Sequence, residues 1–180
     1  MPDAVPPTES PAPLLSRIAR DRKLRYFFDR IAPGSAILEV GCADGWVGRW
    51  ATEHGHHVTG IDIVPPANPN ADVIVGDIRE WQSLGLVAAS FDVIIAFEVI
   101  EHGDFAEALH ALLKPDGRLM VTTPVPRMDW ACRLGEKAGL LQKRTSPHTH
   151  LIDVRKVPGF TAVDRRVVGV VAQWGVLRPI

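Results

Sequence analysis

Five short runs rich in Val and Ile are separated by spans of helical periodicity or by loops, and this alternation limits the chain to very few folds. Ala36 to Cys42, Val58 to Ile63, Asp72 to Ile78, Phe91 to Phe97 and Arg118 to Thr123 each read as strands bounded by Gly, Pro or Asp. Their near-continuous hydrophobicity predicts burial on both faces. Trp46 to His54 and Asp104 to Leu113 carry apolar residues at three- and four-residue spacing, as crossover helices do. A repeated strand, helix, strand order predicts an open α/β sheet, mostly parallel and covered by helices, with the ligand site at the carboxyl ends of the strands. The Val-rich segment Thr161 to Leu177 supplies two more strands, which makes seven. The stretch Val64 to Asn70 contains three prolines and is expected to be a loop rather than a helix.

Upstream of the first strand, Leu24, Phe27, Phe28 and Ile31 repeat at helical spacing, and Pro33-Gly34 ends the run, so Leu14 to Ile31 reads as one amphipathic helix. Its outer face carries Arg17, Arg20, Arg22, Lys23, Arg25 and Arg30, either as a solvated surface or as an attraction for an acidic ligand. Residues 1–13 hold five prolines and little that could join a core, which predicts a flexible leader ahead of a single domain over 14–180.

Composition narrows the function classes. With 20 basic and 21 acidic residues the net charge is −1, so nucleic-acid binding would need a local patch. Two cysteines, Cys42 and Cys132, are too few for a disulfide framework and favour a reducing, cytoplasmic setting. The longest apolar run, Val93 to Phe97, is far short of the about 18 residues a membrane span requires. A secretory signal pattern is not evident at the N-terminus.

The first strand runs into Glu39-Val40-Gly41-Cys42-Ala43-Asp44-Gly45, just before the helix at Trp46. A turn of small residues here lets backbone N–H groups approach a ligand closely. A dinucleotide fingerprint would need glycines at Ala43 and Trp46, and no Walker Lys-Ser/Thr follows, so a nicotinamide enzyme and a nucleotide triphosphatase are both disfavoured. Glu39 beneath the turn suits a cationic amino group better than a pyrophosphate. Asp62, ending the second strand, lies where an acid can accept from both ribose hydroxyls. Asp77, ending the third, can accept from an adenine amino group, or cap the following turn.

The ordered set ILEVGCADG, GIDI, VGDI, FDVIIAFEVIEH and LKPDGRLMVTTP closely resembles the Rossmann-like, class I S-adenosylmethionine-dependent methyltransferases. The resemblance implies a doubly wound sheet with helices on both faces and S-adenosylmethionine as cofactor. By it, Glu39, Gly41, Ala43 and Gly45 line the methionine end, Asp62 holds the ribose and Ile63 packs on the adenine. Asp77 with Ile78 reads the adenine edge, and Phe97 lies beside the sulfonium. Ala43 departs from the glycine many members carry.

Methyl transfer from a sulfonium needs alignment and a water-poor pocket, and an oxygen acceptor must also lose a proton. Glu98, Glu101 and His102 follow the fourth strand at spacings that place them on one helical face. His148-Thr149-His150 supplies histidines from a distant loop. This pattern is similar to two metal-using branches of the family, the small-RNA terminal 2′-O-methyltransferases and the ubiquinone-pathway O-methyltransferases. The resemblance implies His102 and His150 as catalytic bases, or Glu98, Glu101, His102 and His150 as ligands of a divalent ion, with Mn²⁺, Co²⁺ or Zn²⁺ suiting the set better than Mg²⁺. It also allows a metal-free site in which Glu101 and His102 cap and orient the loop. Met128 to Leu141, with Trp130 and Cys132, reads as a lid helix. Without an appended recognition domain, the chain is expected to methylate an oxygen of a small molecule. RNA ribose methylation and a cofactor-binding partner or sensor domain are the alternatives.

Overall fold

The structure, a computed structural model, describes residues 13–43, 45–65, 72–141 and 148–180. The Pro-rich leader up to residue 12, Asp44, most of the Pro-rich crossover and much of the Arg144 to His150 loop lie outside those residues.

Seven strands form one sheet in the order β3-β2-β1-β4-β5-β7-β6. They are β1 (Ala36–Val40), β2 (His57–Asp62), β3 (Asp72–Val75), β4 (Phe91–Phe97), β5 (Leu113–Pro124), β6 (Phe160–Val168) and β7 (Ala172–Pro179). Neighbours from β3 to β5 pair in parallel, and β7 runs antiparallel to both β5 and β6. Among the described residues four α-helices accompany them: α1 (Leu14–Phe27), α2 (Trp46–Glu53), α3 (Ala106–Leu112) and α4 (Asp129–Lys137). This is the open, mostly parallel sheet that the alternating pattern predicts, in the doubly wound form that the resemblance implies.

Side chains alternate across the sheet, as a two-residue period requires. Leu38, Ile94, Ala96, Leu119 and Val121 pack with Ala108, Leu109 and Leu112 of α3 on one face. Ile37, Val93, Ile95 and Met120 pack on the other with Phe27 and Phe28 from the end of α1 and Val47 and Ala51 of α2. Phe27 is wholly buried, with its ring 4.8 Å from that of Phe97, so α1 is anchored directly over the end of β4.

The boundaries depart from the sequence expectations for identifiable reasons. The first helix tightens at Phe28–Arg30 into a 3-10 turn before Gly34 (φ +74) redirects the chain. β1 stops at Val40 because Gly41 turns at φ +73. β3 stops at Val75, and Asp77 then caps a 3-10 turn by accepting from the Arg79 N–H at 2.9 Å. β5 begins five residues before the expected Arg118, with a register shift against β4 between Phe91 and Val93. The lid helix is shorter than Met128 to Leu141, ending before Gly139 at φ +68.

Asp153 caps the 3-10 turn Val154–Lys156, accepting from the Arg155 N–H at 3.0 Å and from its guanidinium at 2.7 Å. The side-chain hydrogen bond from Arg155 pulls the Asp153 carboxyl down to about 2, with burial opposing. A depressed carboxyl contributes stability that is present above its unfolded value and lost as pH falls through the folded one. Asp153→Ala is expected to cost about 1 kcal/mol at pH 7, mostly as a lost cap because the ion pair is solvent-screened. In urea unfolding the deficit should shrink as pH is lowered from 4 toward 2.

Candidate cofactor and acceptor site

The loops after β1, β2, β4 and β5 meet at the carboxyl rim of the sheet. After β1, three left-handed residues form the turn: Gly41 at φ +73, Ala43 at φ +43 and Gly45 at φ +69, the last capping α2. A Cβ at Gly41 would lie 2.5 Å from Cγ2 of Val99, so only glycine fits where this turn meets the loop after β4. The Gly41 N–H donates to the Ile61 carbonyl at 2.8 Å, and the Ala43 N–H donates to Asp62 Oδ2 at 2.9 Å. Asp62 Oδ1 accepts from the Val64 N–H at 3.1 Å. The carboxylate expected at the ribose therefore sits beside the glycine turn, held by two backbone donors. Ile63 and Val64 beyond it are 71% and 62% exposed, offering apolar surface for a flat ring.

Glu39 is buried beneath the turn. Cys42 is buried with it. Burial first, then the carboxylates of Glu39 and Asp62, push its thiol up to about 12, so it carries no nucleophilic thiolate near neutral pH. Asp77 is engaged by the Arg79 guanidinium and backbone, which hold its carboxyl below the usual range. The Ile78 side chain lies in the core with Leu84 and α3 rather than beside Asp77 at the surface. Phe97 is half-buried between Phe27 and Trp46.

After β4 the chain turns at Glu98, whose φ of +56 is a left-handed conformation unusual for its type. Its Oε1 accepts from Lys23 Nζ at 2.9 Å and from Thr122 Oγ1 at 2.8 Å. Lys23, on α1, is itself buried at 8% exposure. Burial disfavours the Glu98 anion, but the Lys23 ammonium outweighs it and holds the carboxyl below the usual range. Glu101 has the opposite fate. It is fully buried, and neither carboxylate oxygen has a hydrogen-bond partner. Burial, then the charge of Glu98, push its carboxyl well above the usual range.

Glu101, His102 and His148 have ligand atoms all within 4.8 Å of one another. Of the residues expected to act together, the structure joins Glu101 with His102, turns Glu98 to Lys23 and Thr122, and places His150 elsewhere. His150 lines a small cavity with Ile100, Phe105 and Leu109. His148 stands in the cluster instead. The segment is fixed by Thr149 and His150 N–H groups, which donate to the Glu101 carbonyl at 2.9 and 2.8 Å. Thr149 Oγ1 also donates to the His102 carbonyl at 3.1 Å. Lys23 and Asp129 are site residues that the motifs did not reveal. The only sequence signal for Asp129 is its i, i+4 spacing from Arg133 on the lid helix.

A seven-stranded sheet with one inverted strand, a left-handed turn after β1 and an acid ending β2 make up the Rossmann-like fold of the class I methyltransferase family. The chain belongs to the methyltransferase domain family, which matches residues 15–156. It is 35% identical over 115 residues to a ubiquinone biosynthesis O-methyltransferase of Xylella fastidiosa, covering 56% of this chain and 47% of that protein. It is also 29% identical over 151 residues to the 2-methyl-6-phytyl-1,4-hydroquinone methyltransferase of Synechocystis, covering 76% of this chain and 45% of that one. The chain thus spans about half the length of the curated relatives it matches. Among solved structures, a protein from Pyrococcus horikoshii superposes with a TM-score of 0.68 at 17% identity, covering 94% of this chain and 95% of its own. The N-methyltransferase NodS of Bradyrhizobium japonicum, crystallised with S-adenosylhomocysteine, gives 0.62 at 18% identity, covering 93% and 88%. Among the described residues no helix is long and apolar enough to cross a membrane.

Two outcomes test this geometry. Ala43→Gly should relieve the left-handed alanine and raise stability by up to about 1 kcal/mol in chemical unfolding, the gain being partly offset by the more flexible unfolded chain. Glu101→Gln should raise the thermal midpoint of chelator-treated protein at pH 8. A carboxyl raised in the folded state loses stability as pH climbs from its unfolded toward its folded value, so the gain should fade toward pH 5 in scanning calorimetry.

Proposed function

We propose that this chain is an S-adenosylmethionine-dependent methyltransferase that places the methyl group on an oxygen of a small molecule. The observation that carries the oxygen preference is the Glu101–His102–His148 cluster, with Glu101 buried and the two histidines partly exposed, just past Phe97 and Glu98. A sulfonium gives up its methyl group to any aligned lone pair, but a hydroxyl must also shed a proton, and two imidazoles beside a buried carboxyl can accept it. The acceptor oxygen attacks the methyl carbon in line, the carbon–sulfur bond breaks with its electron pair left on sulfur, and the hydroxyl proton passes to the cluster.

In this reading Asp62 accepts from the ribose hydroxyls, the N–H groups of the turn and Glu39 meet the methionine end, and Ile63 packs against the adenine with Asp77 at its edge. Phe97, Phe27 and Trp46 keep water from the sulfonium. The acceptor faces α4, where Trp130 and Leu134 are 64% and 61% exposed, an apolar surface better matched to an aromatic ring than to a phosphate backbone. The ubiquinone-pathway relatives, named as O-methyltransferases, support the same class.

The cluster's donor set fits a borderline divalent ion, since a buried carboxylate with no hydrogen bond and two imidazoles are what such an ion takes. Glu101, His102 and His148 would hold it, and it would supply Lewis acidity toward the acceptor oxygen.

Calorimetry with S-adenosylhomocysteine should show binding that Asp62→Ala weakens at least ~10-fold, about 1.4 kcal/mol. With labelled cofactor, catechol-type acceptors should gain methyl groups, and His102→Ala should lower kcat at least ~100-fold, within the usual range for a lost acid–base group. A folded protein that takes up no S-adenosylhomocysteine, or that methylates only RNA, would overturn the proposal.

A further inference from the structure

Asp129 opens α4 with its carboxylate buried. Oδ2 accepts from Arg133 Nε at 2.9 Å, and Oδ1 lies 2.6 Å from Nδ1 of His148. The His148 side chain is 6% exposed. A carboxylate paired with a guanidinium can only accept, so the hydrogen of that contact belongs to Nδ1. On a neutral imidazole this leaves Nε2 as a bare lone pair. Nε2 is 3.9 Å from Glu101 Oε1, and the His148 ring stands edge-on to His102 with centroids 5.0 Å apart. That separation is too long for a direct hydrogen bond, but one atom bonded to both can span it. Glu101, with neither oxygen hydrogen-bonded, faces the same space.

We propose that Asp129 is a positioning residue for the methyl transfer. It fixes His148 as the Nδ1–H tautomer and aims the Nε2 lone pair into the cluster with Glu101 and His102. The lid helix then helps to set the active-site geometry as well as covering it. This role rests on the O-methyltransferase reading for its use, whereas the tautomer rests on the Arg133–Asp129–His148 contacts alone. Carboxylates bonded to the far nitrogen of a histidine act in this way both where the free nitrogen takes a proton and where it binds a metal.

The contacts predict an unusual response to an isosteric change. In Asp129→Asn, the amide oxygen is expected to keep the Arg133 Nε hydrogen bond, because an NH₂ turned toward the guanidinium would set donor against donor, and the NH₂ then faces His148. That NH₂ donates to Nδ1 and forces the hydrogen onto Nε2, which removes the lone pair from the cluster. Adding Arg133→Gln frees the amide to rotate and offer its oxygen to Nδ1 again. Arg133 is 62% exposed, so its loss does not threaten the fold.

The test is long-range proton–nitrogen correlation on ¹⁵N-histidine-labelled protein at pH 8 with chelator, His148 being assigned through His148→Gln. The wild type should show Nδ1–H, Asp129→Asn should show Nε2–H, and the double variant should return to Nδ1–H. In parallel, Asp129→Asn should lower kcat at least ~100-fold with S-adenosylhomocysteine affinity unchanged, and the double variant should recover part of the loss. Nε2–H in the wild type, or an unchanged tautomer in folded Asp129→Asn, overturns the proposal. The wild-type spectrum decides it even where the variant fails to fold. If the tautomers behave as stated but no hydroxyl acceptor is methylated, the reading of the reaction falls, and the role of Asp129 in it, while the His148 tautomer fixed by Asp129 stands.

Discussion

Gly41 allows β1 to end against the loop that carries Glu101 and His102, and both halves of the site depend on that contact. A single methyl group at Gly41 would meet Val99 at 2.5 Å, so the turn and the loop after β4 share one packed surface. The same turn is bound to the end of β2 through the Ile61 carbonyl and the Asp62 carboxylate. Three strand ends are thereby held in one rigid arrangement, which is what in-line transfer between two bound molecules demands. A flexible turn would leave the ribose contact and the acceptor cluster free to drift relative to one another.

The second constraint is how charge is divided between Glu98 and Glu101. Glu101 is buried beside Glu98, and the charge of Glu98 disfavours ionisation of its neighbour. Lys23 settles the division by reaching from α1 to bond Glu98, whose carboxyl stays below the usual range, while burial and the charge of Glu98 raise that of Glu101. Both residues break local rules: Glu98 adopts a left-handed backbone, and Glu101 buries a carboxyl with no hydrogen bond. Such violations survive where a site needs them and the surrounding fold is stable enough to hold them. α1 thus does more than cover an apolar face, because the helix that buries Phe27 also biases which of the two acids after β4 is charged.

Much of this was legible in the sequence, and the parts that were not have physical causes. Strand positions and the doubly wound order followed from hydrophobic periodicity, and the turn followed from its small residues, because both signals are local. The choice between His148 and His150 was not local. Spacing of two predicts a shared direction only in a regular strand. Here the N–H groups of Thr149 and His150 both donate to one carbonyl, that of Glu101, so the segment is not extended and the two rings go to different places. Lys23 was hidden among arginines on a basic helix face, and only packing shows that it points inward. Asp129 could be read as half of a surface pair with Arg133, but its second partner lies nineteen residues away in sequence.

These long-range contacts join α4 to the Glu101–His102–His148 cluster. The loop bearing His148 is fixed to the strand-end loop by three hydrogen bonds to the Glu101 and His102 carbonyls, while α4 holds His148 through a single side chain. Under the positioning role of Asp129, an acceptor that seats poorly against Trp130 and Leu134 displaces α4, and with it the carboxylate that orients His148. Discrimination among acceptors would then appear in kcat as well as in KM, because the surface that recognises the ring and the carboxylate that sets the imidazole lie on consecutive turns of one short helix.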